Sequence, residues 1–259
     1  MSLAPLLHHL TPLMLVVVRM AGLLLFTPVL SNRTLPRRFR AMLAFTLGLA
    51  VYAGLPPDVR EPPRADVIEL LPLILSETLI GAVIGFLMGL PVLALDMAGF
   101  LMGHQMGMGL ARVYNPEMGA DSDMFGQVLV YLGLGAFLAL GGLEAAYLAL
   151  ASTFQHVPIG AFALNRAPLE LITGVISSGI ELSARVAAPV MAIVFLLLIA
   201  FGFLAKTIPQ INVMSVGFTL KILFGTAMLI ASVATMQSAA ADEIDRVMKL
   251  AVDWARSLT

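Results

Sequence analysis

The sequence lacks cysteine altogether and has few charged residues. Its 259 residues include no cysteine, which excludes disulfides, thiolate metal sites and cysteine nucleophiles. Only 12% of the residues are charged, whereas soluble domains average about 25%. Hydrophobic residues make up 59%, and the mean hydropathy is +0.96. These charged residues are too few to cover the surface of a soluble protein of this size. The composition therefore predicts an integral membrane protein. The formal net charge of −1 gives no basis for binding nucleic acid.

The short motifs of common enzyme classes are also missing from the sequence. It contains no Walker-type phosphate loop, no HExxH, no GxSxG and no dinucleotide fingerprint. The four histidines are scattered, and the adjacent His8 and His9 cannot share one helix face as metal ligands would. We therefore expect no catalytic residue, no metal and no cofactor. A lipid-modifying membrane enzyme ranks last among the functions considered, because no recognised constellation supports it.

Six apolar segments are candidates for helices that cross the membrane, since a crossing takes about 20 residues. They are Thr11–Leu30, Ala41–Leu55, Val67–Leu95, Gln127–Ala151, Leu169–Lys206 and Ile211–Met236. The second is short for a crossing, and Pro189 makes the fifth either two helical pieces or one kinked helix. No segment alternates as a strand does, so helices are the expected spanning element. The pattern predicts an all-α integral membrane protein.

Two segments that flank the apolar stretches carry clusters of charged residues. Four arginines follow the first apolar segment and place that loop on the cytoplasmic side: Arg33, Arg37, Arg38 and Arg40. Residues 237–259 change in character, with Ile244, Val247, Met248, Ala251 and Trp254 at helical spacing among charged residues. We expect this tail to be an amphipathic helix that lies on a membrane surface or packs on a partner.

Several charged residues lie within the apolar segments, where an unpaired charge is costly, and four of them are candidate functional intramembrane charges. They are Arg19, Glu77, Glu181 and Arg185. Glu181 and Arg185 are four residues apart in the favourable order and can form an ion pair on one helix face. Each charge either anchors helix packing or belongs to a hydrophilic path through an assembly, and the sequence leaves both alternatives open.

Two glycine ladders repeat at every fourth residue. The first is Gly81, Gly85 and Gly89, and the second is Gly99, Gly103 and Gly107. Small residues at this spacing let two helices approach closely. The ladders indicate either packing within this chain or an interface between subunits, and the spacing favours neither.

Three stretches of the sequence resemble the FliR family of export-gate proteins. They read RVYNPEMGADSDMFGQ, LGGLEAAYLALASTFQHVPIG and FLAKTIPQINVMSVGFTLKI, and YNPEMG and PQINVMSVGF are the most specific parts. The similarity extends from about Arg19 to Gly225. The family includes components of flagella and of virulence injectisomes. The sequences of these motifs favour a flagellar system, and an injectisome stays the alternative.

The resemblance implies a place in a type III secretion system. FliR-like proteins assemble with FliP and FliQ, with FlhB attached, in the bacterial inner membrane at the flagellar basal body. Their fold is helical hairpins packed as one subunit of a larger helical export-gate complex, through which unfolded protein substrates pass. The resemblance further implies a FliP-like part over residues 1–151, a FliQ-like hairpin over 152–236 and the tail over 237–259. Partners would be FliP, FliQ and FlhB homologues, the secreted proteins and membrane lipid.

Residues 103–123, here called the plug segment, match the family segment that fills the closed pore. Its candidate residues are Gly103, Met106, Gly107, Met108, Gly109, Tyr114, Asn115, Pro116, Met118 and Gly119. Glycines lower helix propensity, and flexible methionines can close an irregular gap and reopen it. The alternative is a structural re-entrant loop. A second polar turn, with Pro209, Gln210 and Asn212, is expected to pack on a neighbouring subunit.

A secondary transporter is the main alternative function. Its midplane site would be lined by Arg19, Glu77, Glu181 and Arg185. Transporters commonly contain internal repeats, and the second half of this sequence does not convincingly repeat the first. The export-gate interpretation is therefore preferred.

Overall fold

A computed structural model describes residues 4–30, 36–57, 59–60, 70–108, 124–160, 169–207 and 213–257. These residues form seven α-helices and no strand, which confirms the predicted all-α class. The helices are α1 (Ala4–Phe26), α2 (Arg37–Gly54), α3 (Leu70–Met106), α4 (Met124–Ala139), α5 (Gly142–His156), α6 (Leu169–Thr207) and α7 (Val213–Ser257).

Four of these helices contain stretches long and apolar enough to cross a membrane, as expected for an integral membrane protein. The stretches are His9–Phe26, Leu70–Met106, Leu169–Thr207 and Ser215–Arg256. Helices α4 and α5 together would make a fifth span, but they are bent by 61° at the break between them. Helix α2 is not among the candidates, in agreement with the shortness of its apolar segment.

Several helix boundaries differ from the sequence-based expectation. Helix α3 continues to Met106, well past the predicted end at Leu95. The predicted segment Gln127–Ala151 is divided between α4 and α5, because Gly141 adopts a left-handed conformation (φ +74°) that ends regular helix. Helix α6 is one continuous helix with Pro189 inside it. The predicted tail helix is the continuation of α7.

The chain divides into two compact units, each assembled from separate stretches of sequence. Unit 1 contains residues 1–90, 137–175 and 244–259, and unit 2 contains residues 91–136 and 176–243. The FliP-like, FliQ-like and tail divisions predicted above remain predictions.

Unit 1 is organised around α1, which packs against α2 and α5. Its buried residues include Leu15, Met20 and Leu23 of α1 and Ile80 and Ile84 of α3. The α1–α2 contact is close: a Cβ on Gly48 would lie 3.0 Å from the Cα of Val17.

Unit 2 has its own hydrophobic core, formed by the second half of α3 and the facing parts of α4, α6 and α7. Its most deeply buried residues come from α3 and α6 and are Ala98, Met102, Met106, Ala187, Val190 and Val194. Because three of these lie on α3 beyond residue 95, burial explains why the helix continues into the glycine-rich stretch despite its low helix propensity.

Candidate functional site

Arg19 and Glu77 form a completely buried ion pair in unit 1. Both side chains are 0% exposed, and Nε of Arg19 lies 2.5 Å from Oε2 of Glu77. Arg19 is in the middle of α1 and Glu77 is in α3, so the pair joins two candidate spans. Two of the four predicted intramembrane charges are thus brought together.

The remaining nitrogens of Arg19 are bonded to α5 and the turn after it. Nη1 donates to Oγ1 of Thr153 (2.8 Å), and Nη2 donates to the carbonyl oxygen of Val157 (3.5 Å). The guanidinium also lies over the ring of Phe154, with Cζ 3.9 Å from the ring centroid. A buried guanidinium over an aromatic face gains cation–π stabilisation beyond its hydrogen bonds. Arg19 therefore connects α1 to α5 as well as to α3.

Glu77 uses its second oxygen to hold the turn that follows α5. Oε1 accepts a hydrogen bond of 2.8 Å from the backbone N–H of Gly160, whose φ is +82°. A positive φ suits glycine because it has no Cβ. Both carboxylate oxygens of Glu77 and all three guanidinium nitrogens of Arg19 have partners. The arrangement links helices, and none of its polar atoms is left to bind an ion or a substrate.

The other two predicted charges form a different kind of pair. Nη2 of Arg185 lies 2.6 Å from Oε1 of Glu181 on α6 in unit 2, with the side chains 66% and 69% exposed. The i,i+4 pair predicted from the spacing is therefore present. Exposed pairs contribute little to stability, so this one is a surface feature of the isolated chain.

The first glycine ladder lies against α1 of the same chain. A Cβ on Gly81 would collide with the carbonyl oxygen of Arg19, one on Gly85 would collide with that of Leu23, and one on Gly89 would lie 2.9 Å from that of Phe26. The close approach needed by α1 and α3 explains the spacing. Internal packing thus uses this ladder, and a role in packing between subunits stays a prediction.

The plug segment begins inside α3. Gly103 and Met106 belong to the last turn of the helix, and Met106 is completely buried in the core of unit 2. Gly107 then ends the helix with φ +92°. Its N–H donates to the carbonyl oxygen of His104, and the N–H of Met108 donates to that of Gly103, both at 3.0 Å. This pair of bonds is a Schellman motif, a common helix end that requires a left-handed residue.

The two helices that flank the plug segment touch through glycines. A Cβ on Gly99 of α3 would collide with the backbone of Gly126 in α4. A Cβ on Gly225 of α7 would lie 2.6 Å from the methyl carbon of Met106. The described start of the plug segment is therefore packed on neighbouring helices. Nine candidate residues lie outside the described residues: Gly109, Tyr114, Asn115, Pro116, Met118 and Gly119 of the plug segment, and Pro209, Gln210 and Asn212.

The amphipathic end of α7 packs in unit 1. Its apolar residues Ile244, Val247, Ala251 and Ala255 are all at most 1% exposed. Trp254, the single tryptophan of the sequence, packs against Ile80 and Val157. The sequence predicted the helix and its apolar face, and the structure shows that this face is covered by the same chain.

Four residues of the Arg19–Glu77 site were missed by sequence reasoning: Thr153, Phe154, Val157 and Gly160. They lie in the stretch STFQHVPIG, which contributed to the family resemblance. Nothing in its local spacing indicates a contact with α1, because that contact depends on how distant helices pack.

Comparisons with known proteins agree on one family. The family described as bacterial export proteins, family 1, matches residues 10–247. The flagellar biosynthetic protein FliR of Bacillus subtilis is 27% identical over 221 residues, covering 84% of each chain. FliR of Escherichia coli is 28% identical over 83% of this chain and 81% of its own. The Yop proteins translocation protein T of Yersinia pestis is 26% identical over 90% of each.

Proposed function

Because the chain belongs to the bacterial export proteins, family 1, we propose that it is a gate subunit of a type III protein export apparatus. The observation that carries the proposal is the family match over residues 10–247, which includes parts of both compact units and all seven helices. Its relatives include proteins named for flagellar biosynthesis and for Yop translocation, so membership of a type III apparatus is common to them. The resemblance favours the flagellar system, located at the basal body in the bacterial inner membrane.

The gate would be completed by FliP and FliQ homologues, with an FlhB homologue attached. Support comes from the last two long helices, which leave most of their apolar surface exposed. Only 22% of the apolar stretch of α6 and 17% of that of α7 is buried within the chain. Their exposed apolar side chains include Phe195, Phe203, Leu223, Phe224 and Ile230. In a membrane protein such faces meet lipid or another chain, and the proposal assigns part of them to neighbouring subunits.

The plug segment would close the pore while both of its ends are held by packed helices. Its first arm leaves the core at the Schellman motif of Gly107, directly after the buried Met106. Its second arm ends at Met124, where α4 begins, and the Gly99–Gly126 contact holds the two helices together nearby. Residues 109–123 give two arms of about seven residues, enough to reach roughly 25 Å when extended. The moving part of the plug is therefore proposed to start after Met108.

The first test is the composition of the purified complex. The chain would be expressed with its genomic neighbours and extracted in mild detergent, and the intact complex would be weighed by native mass spectrometry. We expect a large assembly in which FliP-like and FliQ-like chains outnumber this one. A stable monomer or homo-oligomer in the presence of those neighbours would overturn the proposal.

The second test addresses the plug segment itself. Deleting residues 109–119 leaves the Schellman motif and α4 intact, and we expect the assembled gate to leak small ions in proteoliposomes. A variant with residues 109–119 replaced by glycine and serine keeps the length and removes the bulky side chains. Leakage in both variants would support pore filling by those side chains. A tight membrane with the deletion variant would refute the plug assignment.

The transporter alternative is disfavoured by the bonding of its predicted site. Arg19 and Glu77 have all their polar atoms bonded, and Glu181 is paired with Arg185. The chain alone in liposomes should then move no small solute. Solute uptake abolished by Glu77→Gln would favour the transporter instead.

A further inference from the structure

An apolar cavity of about 340 Å³ lies between α1, α2 and α5 in unit 1. Its volume falls in the range of about 300–1,000 Å³ that ligand sites occupy. The walls are mainly leucine side chains, including Leu24, Leu43, Leu47 and Leu143. The hydroxyl of Thr27, which also lines it, donates to the carbonyl oxygen of Leu23 (2.8 Å) and so presents no free donor. The chemistry of this cavity suits a hydrocarbon chain.

Three arginines lie in the first turn of α2, just before the cavity residue Leu43. Arg37, Arg38 and Arg40 form the first turn of α2, and Arg40 precedes Leu43 and Leu47 by three and seven residues. Residues at that spacing lie on one side of a helix, so Arg40 aligns with the two cavity leucines. Within the residues that the structure describes, none of these arginines forms an ion pair with an acidic side chain. Their positive charge is available to an anion.

The surroundings of the cavity are those of a membrane boundary. Helix α1 is a candidate span, and the exposed apolar side chains of these two helices include Leu25 on α1 and Phe39 and Met42 on α2. The arginine-rich loop is expected on the cytoplasmic side, where anionic lipids give the membrane surface a negative potential. An apolar cavity next to basic residues in this position matches the two ends of a phospholipid.

We propose that this cavity holds one acyl chain of an anionic phospholipid whose phosphate is bound by Arg37, Arg38 and Arg40. Glu144 also lines the cavity, in the first turn of α5, and its carboxylate would repel a phosphate. The phosphate is therefore placed at the α2 end, with the acyl chain between the leucines. This lipid site is independent of the export-gate proposal and adds a defined ligand to unit 1.

Lipid retention by the detergent-extracted protein tests the headgroup part of the site. Native mass spectrometry would compare phosphatidylglycerol with phosphatidylcholine of the same acyl chains, with the chain in its purified complex. We expect one phosphatidylglycerol to be retained in preference. Replacing Arg37, Arg38 and Arg40 by glutamine should lower its affinity about fivefold per arginine. A matched triple variant, with Arg185, Lys249 and Arg256 replaced by glutamine, loses the same charge elsewhere and should keep the preference.

Filling the cavity tests the acyl-chain part. Leu47→Trp should displace the lipid while the arginines remain, and Leu49→Trp, on an exposed part of α2, should not. Leu43→Phe is a smaller change on the same side of the cavity. If the Leu47→Trp protein fails to assemble, lipid retention by Leu43→Phe tests the acyl-chain site instead. Melting temperature measured by light scattering checks that each variant is folded.

Four results would overturn the proposal. Equal retention of the two lipids would remove the charge selectivity, and equal losses in the two triple variants would show attraction to net charge alone. Unchanged phosphatidylglycerol in both filled variants would mean that the acyl chain lies elsewhere. Release of a co-purified protein from the filled variants would identify that protein, rather than a lipid, as the occupant.

Discussion

Arg19 and Glu77 are paired out of contact with solvent, with 2.5 Å between Nε and Oε2. Burying two charges is costly, and their attraction offsets that cost only when the remaining polar atoms are also bonded. Here Thr153, Val157 and Gly160 supply those bonds. The pair therefore specifies how α1, α3 and α5 fit together, and removing one member alone is harmful.

Glu77→Leu should lower the free energy of unfolding of unit 1 by about 3–5 kcal/mol, because it leaves Arg19 buried and unpaired. Fluorescence of Trp254, the single tryptophan, reports on this unit because the ring packs against Ile80 and Val157. Denaturant unfolding in detergent would measure the change. The double variant Arg19→Met, Glu77→Leu removes both charges and should recover most of the loss.

Glu181→Gln is the matched control for the buried pair. It breaks an ion pair whose two side chains are more than half exposed, so the change should stay below about 1 kcal/mol. Similar effects of Glu77→Leu and Glu181→Gln would contradict the special role given to the buried site.

Gly85→Ala should separate α1 from α3, because the new Cβ would collide with the carbonyl oxygen of Leu23. Overpacking of this kind typically costs about 1–3 kcal/mol. Gly135→Ala is the control, since a Cβ there meets nothing within 4 Å and alanine favours helix. Melting temperatures of the two variants should move in opposite directions. An unchanged Gly85→Ala protein would show that the helices have room to shift.

Gly107→Ala tests the end of α3. The φ of +92° is strained for alanine, and the expected cost is about 1–2 kcal/mol. If the Schellman motif anchors the plug segment, the same variant should also raise ion leakage through the assembled gate. Gly202→Ala, where a Cβ meets nothing within 4 Å, serves as the control for both measurements. Loss of stability without leakage would limit Gly107 to a structural role.

Ala251→Leu tests the packing of the end of α7. Ala251 is 0% exposed, so the larger side chain should destabilise unit 1 by about 1–3 kcal/mol. Asp253→Ala, on the exposed side of the same helix, should change stability by less than about 0.5 kcal/mol. Equal melting temperatures for the two variants would mean that this helix end detaches readily from the rest of the unit.

Composition and periodicity were sufficient to predict helices, membrane character and the amphipathic face near Trp254, because these depend on local patterns. The Glu181–Arg185 pair was predictable for the same reason, since its members are one helical turn apart. The partner of Arg19 was not, because Glu77 comes from a different helix and no local rule relates the two. The resemblance to the FliR family is confirmed, and it is the basis of the proposed function, which no residue pattern indicated.

Helix ends were the least predictable part of the fold. The predicted apolar segment ends at Leu95, yet α3 continues through Gly99 and Gly103 to Met106. Gly99 serves a close contact with Gly126, and burial of Met102 and Met106 outweighs the low helix propensity of the stretch. The break at Gly141 was missed because the apolar run continues across it. Tertiary packing decided the first case, and the left-handed backbone of Gly141 decided the second.

The composition of unit 1 has a consequence for biosynthesis. Its first 90 residues leave the ribosome early, but residues 244–259, which supply buried Ile244 and Ala251, are made only after all of unit 2. At about 5–20 residues per second, the wait is on the order of ten seconds or more. During that interval the surface around Ile80 lacks its contact with Trp254. A nascent chain stalled before residue 244 would present this surface to chaperones and proteases.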